Sequence, residues 1–399
     1  MRAVVYHGVN DLRLETVPVP HIGAGELLVK VAVCGVCPTD IKKIQYGTVP
    51  PPRIFGHETA GTIVRIGGGV GGARTVAVCQ DLASRFKIGD RVALHHHVPC
   101  LDCHFCRHRA FAQCATYKRT GITAGFDPAG GGYAEYVRVM PFVLPGVVKI
   151  PAKNSFAEGA MLEPVNTVLK AVRRLSLLRR DVVLVAGQGP IGLMFTRLLQ
   201  LAGAHVIATD LLESRLKLAK EFGARWTMLA QSKAESRVAK ARNPLPSLDP
   251  RLSTLDAAVI AVPSDAVVQQ ALTWLRGGGQ LMLFAHTKRA DPVGRVTPCA
   301  PPGGLDIPAR RGLTRPTTLN FPLDLSSICV DEKDLLGSYS SDFTLQDEVA
   351  RLVFSRRLDV RSLISHRFPL EQTAAAVALA AKPTEDSLKI IVVADIGNL

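Results

Sequence analysis

Residues 181–210 read DVVLVAGQGPIGLMFTRLLQLAGAHVIATD, and the rest of the chain is best read outward from them. DVVLVA is a short apolar run rich in β-branched residues, which predicts a buried strand. Gly187-Gln-Gly189-Pro190-Ile191-Gly192 follows it and opens IGLMFTRLLQLAGA, a helix, after which HVIATD is a second strand. A bare GxGxxG carries little weight, but between a strand and a helix it has a physical rationale. The first glycine makes the tight turn, the second lets the backbone approach a pyrophosphate, and the third lets helix and strand pack closely. The helix N-terminus then offers partial positive charge to phosphate. Asp210 ends the second strand, where a carboxylate accepts bonds from both ribose hydroxyls and repels a 2′-phosphate, so NAD is expected over NADP. Arg215 is near enough in sequence to soften that preference, although on a helix it is expected beside the adenine or in solvent.

Downstream the alternation continues through ESRLKLAKEFGA (helix), LDAAVIAV (strand), 266–275 (helix) and GQLMLFA (strand). Such alternation predicts an α/β fold, a Rossmann-type doubly wound parallel sheet covered on both faces. LLGSYS reads as one more strand, 345–354 as an amphipathic helix, and LKIIVVAD as a strand returning to the first domain. Upstream, AVVYH, ELLVKVAVCG, GTIVRIG, DRVALHHH and YAEYVRVM are short β-rich runs separated by Gly and Pro, the signature of an irregular β-barrel-like domain. Residues 156–178 read as helical. The expected division is 1–152 with 341–399, and 153–340. Insertions are expected near 68–84, 231–252 and 288–320, the last rich in Pro, Arg and Gly.

The length of 399 residues suits two domains. No apolar run approaches the roughly 20 residues that span a bilayer, and the N-terminus lacks a signal-peptide pattern, so a soluble cytoplasmic protein is expected. The net charge of +14 would permit nucleic-acid binding, but much of it sits in 231–252 and 288–320 with no helical stripe and no interleaved aromatics. Solvated loops are the expectation, and no nucleic-acid or membrane partner.

Nine cysteines in such a chain argue against a disulfide framework. Cys100, Cys103, Cys106 and Cys114 follow C-x2-C-x2-C-x7-C, a spacing at which one loop can wrap a zinc ion with four thiolates. Four thiolates close the coordination sphere, so the site would be structural. An iron–sulfur cluster is the chemical alternative at this spacing. His95, His96 and His97 end a predicted strand, where neighbouring side chains point to opposite faces; they, with His104 and His108, are read as satisfied or solvated. A second constellation is Cys34-Gly-Val-Cys37-Pro-Thr39-Asp40, followed by Gly56-His57-Glu58. A thiolate, an imidazole and a carboxylate make a three-ligand zinc site with one open position, as catalysis requires.

The order CxTD, GHE, four-cysteine lobe, LEP and dinucleotide fingerprint resembles the zinc-containing medium-chain alcohol dehydrogenase family. GAMLEPVNTVLKAVRR followed by VVLVAGQGPIGLMFTRLLQLAGA is most similar to its sorbitol/polyol and threonine dehydrogenase branch. The resemblance spans nearly the whole chain and implies a GroES-like catalytic domain for the β-rich part. It places Cys37 and His57 as catalytic-zinc ligands, with Glu58 and Glu163 (in LEP) ligating directly or standing just behind. Thr39 would accept the alcohol proton, and Asp40 would orient His57. Cys34 matches no functional position and is read as core. Where many relatives carry a relay histidine, this chain has Lys42, expected to contact cofactor or solvent and to be replaceable. The implied activity is NAD-linked oxidation of a small alcohol or polyol by a homodimer or homotetramer with one catalytic and one structural zinc per subunit. A zinc-free quinone or enoyl reductase, and a non-catalytic binding protein of the same fold, are the alternatives.

Overall fold

A computed structural model describes residues 1–68, 84–95, 98–119, 130–230, 245–285, 289–290, 296–297 and 324–394. The three expected insertions lie for the most part outside these residues, as do His96 and His97. The chain forms two compact units, Met1–Lys170 with Ser340–Leu399, and Ala171–Tyr339. No helix among the described residues is long and apolar enough to cross a membrane.

The first unit begins with β1 (Arg2–Gly8), β2 (Asp11–Thr16), β3 (Leu27–Gly35), β4 (Arg53–Ile54), β5 (Glu58–Ile66), β6 (Arg91–Leu94), β7 (Tyr136–Val139) and β8 (Val148–Lys149). β3 is its axis. Leu27, Val29 and Val31 enter one core with Ile63, Val92 and Val137, because alternate side chains leave a strand on one face. Register shifts at Leu28/Val29 and Val31/Val33 interrupt the alternation, and Cys34 enters a second core with Tyr6, Phe55 and Tyr133. Helix Phe156–Ala160 packs on β3, β5 and β6, which draws residues 153–170 into this unit although the sequence places them with the next.

The second unit carries β9 (Val182–Ala186), β10 (His205–Asp210), β11 (Trp226–Leu229), β12 (Leu255–Ile260), β13 (Leu275–Leu283), the short pair β14 (Arg289–Ala290) and β15 (Val296–Thr297), and β16 (Asp334–Gly337). Among the described residues, β11-β10-β9-β12-β13-β16 form one parallel sheet. The order runs outward from β9 in one direction and then resumes on its other side with β12. The carboxyl end of β9 therefore lies at the topological switch point, where ligands bind in open α/β sheets. Leu245, in a stretch expected to be loop, opens the short helix Leu245–Leu248 and is fully buried in this core.

The chain returns to the first unit through β17 (Ile364–Pro369) and β18 (Lys389–Val393). β18 pairs parallel with β17 and antiparallel with β3, as the expected returning strand should. The helix expected over 156–178 is two helices, Phe156–Ala160 and Leu162–Val172, broken at Met161. Pro164 has no N–H to give to the Ala160 carbonyl, so a continuous helix would lose that bond.

Candidate metal centres and cofactor site

Cys37 is the N-cap of helix Pro38–Tyr46, in extended backbone, with Pro38 pre-setting the first turn. Asp40, on that turn, is fully buried, and its carboxylate accepts from His57 Nδ1 at 3.1 Å. This bond fixes the imidazole tautomer and leaves Nε2 for a metal. His57 and Glu58 enter the site through Gly56, whose φ of +97° is left-handed. A Cβ there would lie 2.7 Å from Cys34 Sγ and 2.9 Å from the Tyr133 backbone nitrogen, so only glycine fits.

One ligand atom each from Cys37, His57 and Glu58 lies within 4.8 Å of the others. This is the donor set expected from the sequence, and it suits zinc. Burial opposes an imidazolium at His57, but Asp40 and Cys37 outweigh it and raise its pKa well above the ordinary value. Glu163 falls outside that 4.8 Å group yet is only 7% exposed. Burial pushes its carboxyl up to about 7, with Glu58 and Asp40 adding and His57 and Lys389 opposing. Three buried carboxyls and a thiol gather here, a chemistry that suits a divalent cation.

Lys389, the first residue of β18, is the member that the motifs did not reveal. The residue is 6% exposed, and its Nζ donates to Glu58 Oε1 at 2.6 Å, touches the second carboxylate oxygen, and donates to the Val36 carbonyl at 2.9 Å. Burial disfavours its charge, but Glu58 and Cys37 prevail and raise its pKa. Gly35 makes the room, since a Cβ there would sit 1.8 Å from Glu58 Oε2. The available signal was a lysine opening the otherwise apolar run KIIVV. Thr39 is half-buried on the turn after Cys37, and Lys42 is half-buried on the same helix. Cys34 is fully buried, its thiol pushed by burial up to about 12. It is core.

Among the described residues, Cys100, Cys103, Cys106 and Cys114 form the other group of potential metal ligands. Their Sγ atoms lie 3.5 Å (Cys103–Cys106), 3.6 Å (Cys100–Cys114) and 3.9 Å (Cys100–Cys106) apart. The edge of a tetrahedron with zinc–sulfur bonds of about 2.3 Å is about 3.8 Å, so the residues fit a zinc ion. Burial opposes a Cys114 thiolate, but the Cys100 and Tyr117 backbone N–H groups bring its thiol down to about 6. Burial, with Cys103 beside it, pushes Cys106 up to about 12. His104 and His108 are exposed, while His95 is fully buried with its Nε2 3.4 Å from Ser341 Oγ.

In the second unit Gly187 and Gly192 occupy the geometry that their spacing predicts. Gly187 has φ +91°; a Cβ on Gly192 would lie 1.7 Å from the Gly187 carbonyl oxygen, and one on Gly189 would meet nothing within 4 Å. Gly189 caps helix Pro190–Leu201, with Pro190 and Ile191 in its first turn. Gln188, which the motif treats as a spacer, is fully buried and bolts the loop down. Its amide donates to the Val185 carbonyl and accepts from Thr196 Oγ1, both at 2.9 Å. Its backbone N–H donates to Asp210 Oδ2 at 2.6 Å, while Asp210 Oδ1 accepts from the Leu212 N–H. Arg215 Nη1 stands 3.9 Å from Asp210, beside the carboxylate and not out in solvent.

Residues 23–152 match the family described as alcohol dehydrogenase GroES-like domain, and residues 190–300 the family described as zinc-binding dehydrogenase. The chain is 28% identical to the sorbitol dehydrogenase of Gallus gallus, covering 94% of this chain and 91% of that protein. It is 27% identical to the sorbitol dehydrogenase of Bacillus subtilis (strain 168), covering 98% and 97%. The fold is shared with 2R,3R-butanediol dehydrogenase from Bacillus subtilis, at TM-score 0.73, 22% identity and 99% coverage of both chains.

Proposed function

From its membership of the zinc-containing medium-chain alcohol dehydrogenase family, on the sorbitol dehydrogenase branch, we propose that this chain transfers hydride from a small alcohol or polyol to NAD, giving an aldehyde or ketone. The observation that carries the reading is the convergence of Cys37, His57 and Glu58 ligand atoms within 4.8 Å, with Asp40 bonded behind the imidazole.

Cys37, His57 and the acidic pair Glu58 and Glu163 would hold the catalytic zinc, and the four-cysteine lobe the structural one. Zinc bound at the first site would supply Lewis acidity, which lowers the pKa of a bound hydroxyl toward neutrality. The rest falls to the chain. Asp40 holds His57 in one tautomer, and Lys389 neutralises Glu58 so that a carboxylate can stay buried. The Thr39 hydroxyl would accept the proton released by the alcohol while passing its own to the cofactor ribose, the start of a relay toward solvent. Gly187, Gly189, Pro190, Ile191 and Gly192 seat the pyrophosphate, and Asp210 takes the ribose hydroxyls with its remaining lone pairs. Arg215 beside Asp210 would soften the discrimination against a 2′-phosphate.

The retained donor set argues against the zinc-free reductase. Cytoplasmic residence and a homodimer or homotetramer complete the reading, and rest on the resemblance. The test is NAD reduction by purified protein over polyols, amino alcohols and simple alcohols, with zinc content measured in parallel. Turnover that needs zinc and prefers a polyol supports the reading. Full turnover in metal-depleted protein overturns it, as does salt-dependent DNA binding with no NADH formed from any alcohol.

A further inference from the structure

We propose that residues 340–346 strap the four-cysteine lobe to the helix that carries Glu163, so that Asn166, Gln346 and Phe343 are positioning residues for the catalytic metal site. The inference rests on the zinc reading above.

Glu163 lies in the first turn of helix Leu162–Val172, where N–H groups have no intrahelical partner and Pro164 has none to give. This is the weakest part of a helix, and its carboxyl must nevertheless hold a fixed place. The anchor is one turn on. Asn166 is fully buried and spends both ends of its amide on one segment: Nδ2 donates to Gln346 Oε1 at 2.9 Å, and Oδ1 accepts from the Asp342 N–H at 2.8 Å.

The same segment grips the lobe. The Phe343 ring meets Phe111 edge-on at 5.5 Å and joins the small apolar cluster of Cys106, Phe111, Ala112, Cys114 and Tyr117. The Tyr117 hydroxyl bonds Ser340 Oγ, and fully buried Ser341 faces His95 at the end of β6. Asp342 stiffens the segment between its two grips, accepting at Oδ1 from the Thr344 N–H at 2.9 Å and from Thr344 Oγ1 at 2.7 Å. Both ends of the buried Asn166 amide are bonded, and satisfied buried polar groups select a single arrangement. Lobe, strap and helix therefore form one bonded path, and any coupling along it must be reciprocal.

The test uses the zinc-loaded enzyme with the catalytic ion exchanged for Co(II), whose visible bands report ligand geometry. Asn166→Leu cuts the path at the helix, Phe343→Ala at the lobe. Both are expected to hold Co(II) about 10-fold more weakly with shifted bands. Asn166→Leu is also expected to release the lobe zinc to a chelator several-fold faster, which a role confined to its own helix would not cause. Should Asn166→Leu fail to fold, Gln346→Met removes the acceptor of the Asn166 Nδ2 bond and is read the same way. Wild-type affinity, unshifted bands and wild-type zinc release in the Asn166 or Gln346 variant would overturn the proposal. So would a Phe343→Ala enzyme disturbed at the lobe alone. A wild-type protein that takes up no Co(II) beyond the lobe would instead overturn the zinc assignment, and is distinguishable from either result.

Discussion

Replacing Lys389 with Met keeps the length and packing of the aliphatic stem and removes only the charge and its donors. Glu58, 1% exposed, then loses the cation 2.6 Å from Oε1. Two routes give the cost in metal-free protein. Breaking a buried ion pair by removing one partner costs about 3–5 kcal/mol. Alternatively the carboxylate escapes by protonation; keeping an ordinary glutamate neutral at pH 7 costs about 3.7 kcal/mol, from a reference pKa near 4.3 and 1.36 kcal/mol per unit. The routes agree. In a unit of about 230 residues, each kcal/mol lowers Tm by about 2–4 °C, so a drop on the order of 10 °C is expected. The assay is thermal unfolding followed by circular dichroism, metal-free and zinc-loaded. Zinc should shrink the drop, because Glu58 then has a second cation to face. Lys389→Met with Glu58→Gln should recover most of the loss, since neither charge is left unpaired. A metal-free Lys389→Met protein melting within about 1 °C of wild type would refute the reasoning. A double variant no more stable than the single one would do the same.

Three further outcomes are expected. Asp40→Asn leaves His57 without its carboxylate partner and should cost about 10- to 100-fold in zinc affinity or turnover, read by metal analysis and NADH formation. Gly192→Ala puts a Cβ 1.7 Å from the Gly187 carbonyl oxygen; stability should fall by about 1–3 kcal/mol and NADH binding, measured by fluorescence, should weaken sharply. Glu158 is buried, and although burial alone would raise its pKa, donors from Ser155, Asn154 and Arg356 hold it below the ordinary value. Its contribution is therefore present above the unfolded pKa and lost as pH falls through the lower folded one. The Tm gap between wild type and Glu158→Gln should be largest near pH 7 and close toward pH 3.

Much of this protein was legible in one dimension because its physics is local. The GQGPIG turn needs its glycines at fixed offsets, and Gly187 and Gly192 meet the constraint that their position implies. Cys100 to Cys114 lie on one short loop, so their spacing alone announced a tetrahedral thiolate site. Cys37 and His57 could be paired because their flanking residues, Pro38 to Asp40 and Gly56, are needed for a cap, an orienting carboxylate and a left-handed turn.

What remained hidden depends on contacts between distant parts of the chain. Lys389 meets Glu58 across 331 residues, and the pairing of β3 with both β18 and β5 brings them together. Arg215 turns to Asp210 and out of solvent, a side-chain choice that periodicity does not encode. Asn166 reads as an ordinary polar residue on a helix until Gln346 arrives 180 residues later to bury it. Sequence alone determined most of the elements and the identities of most candidate metal-binding and cofactor groups, since turns, caps and short ligand loops are set by neighbours in the chain. Tertiary structure alone decided which charges are paired and which amides anchor the site, because burial and long-range hydrogen bonds exist only once the strands have closed around them.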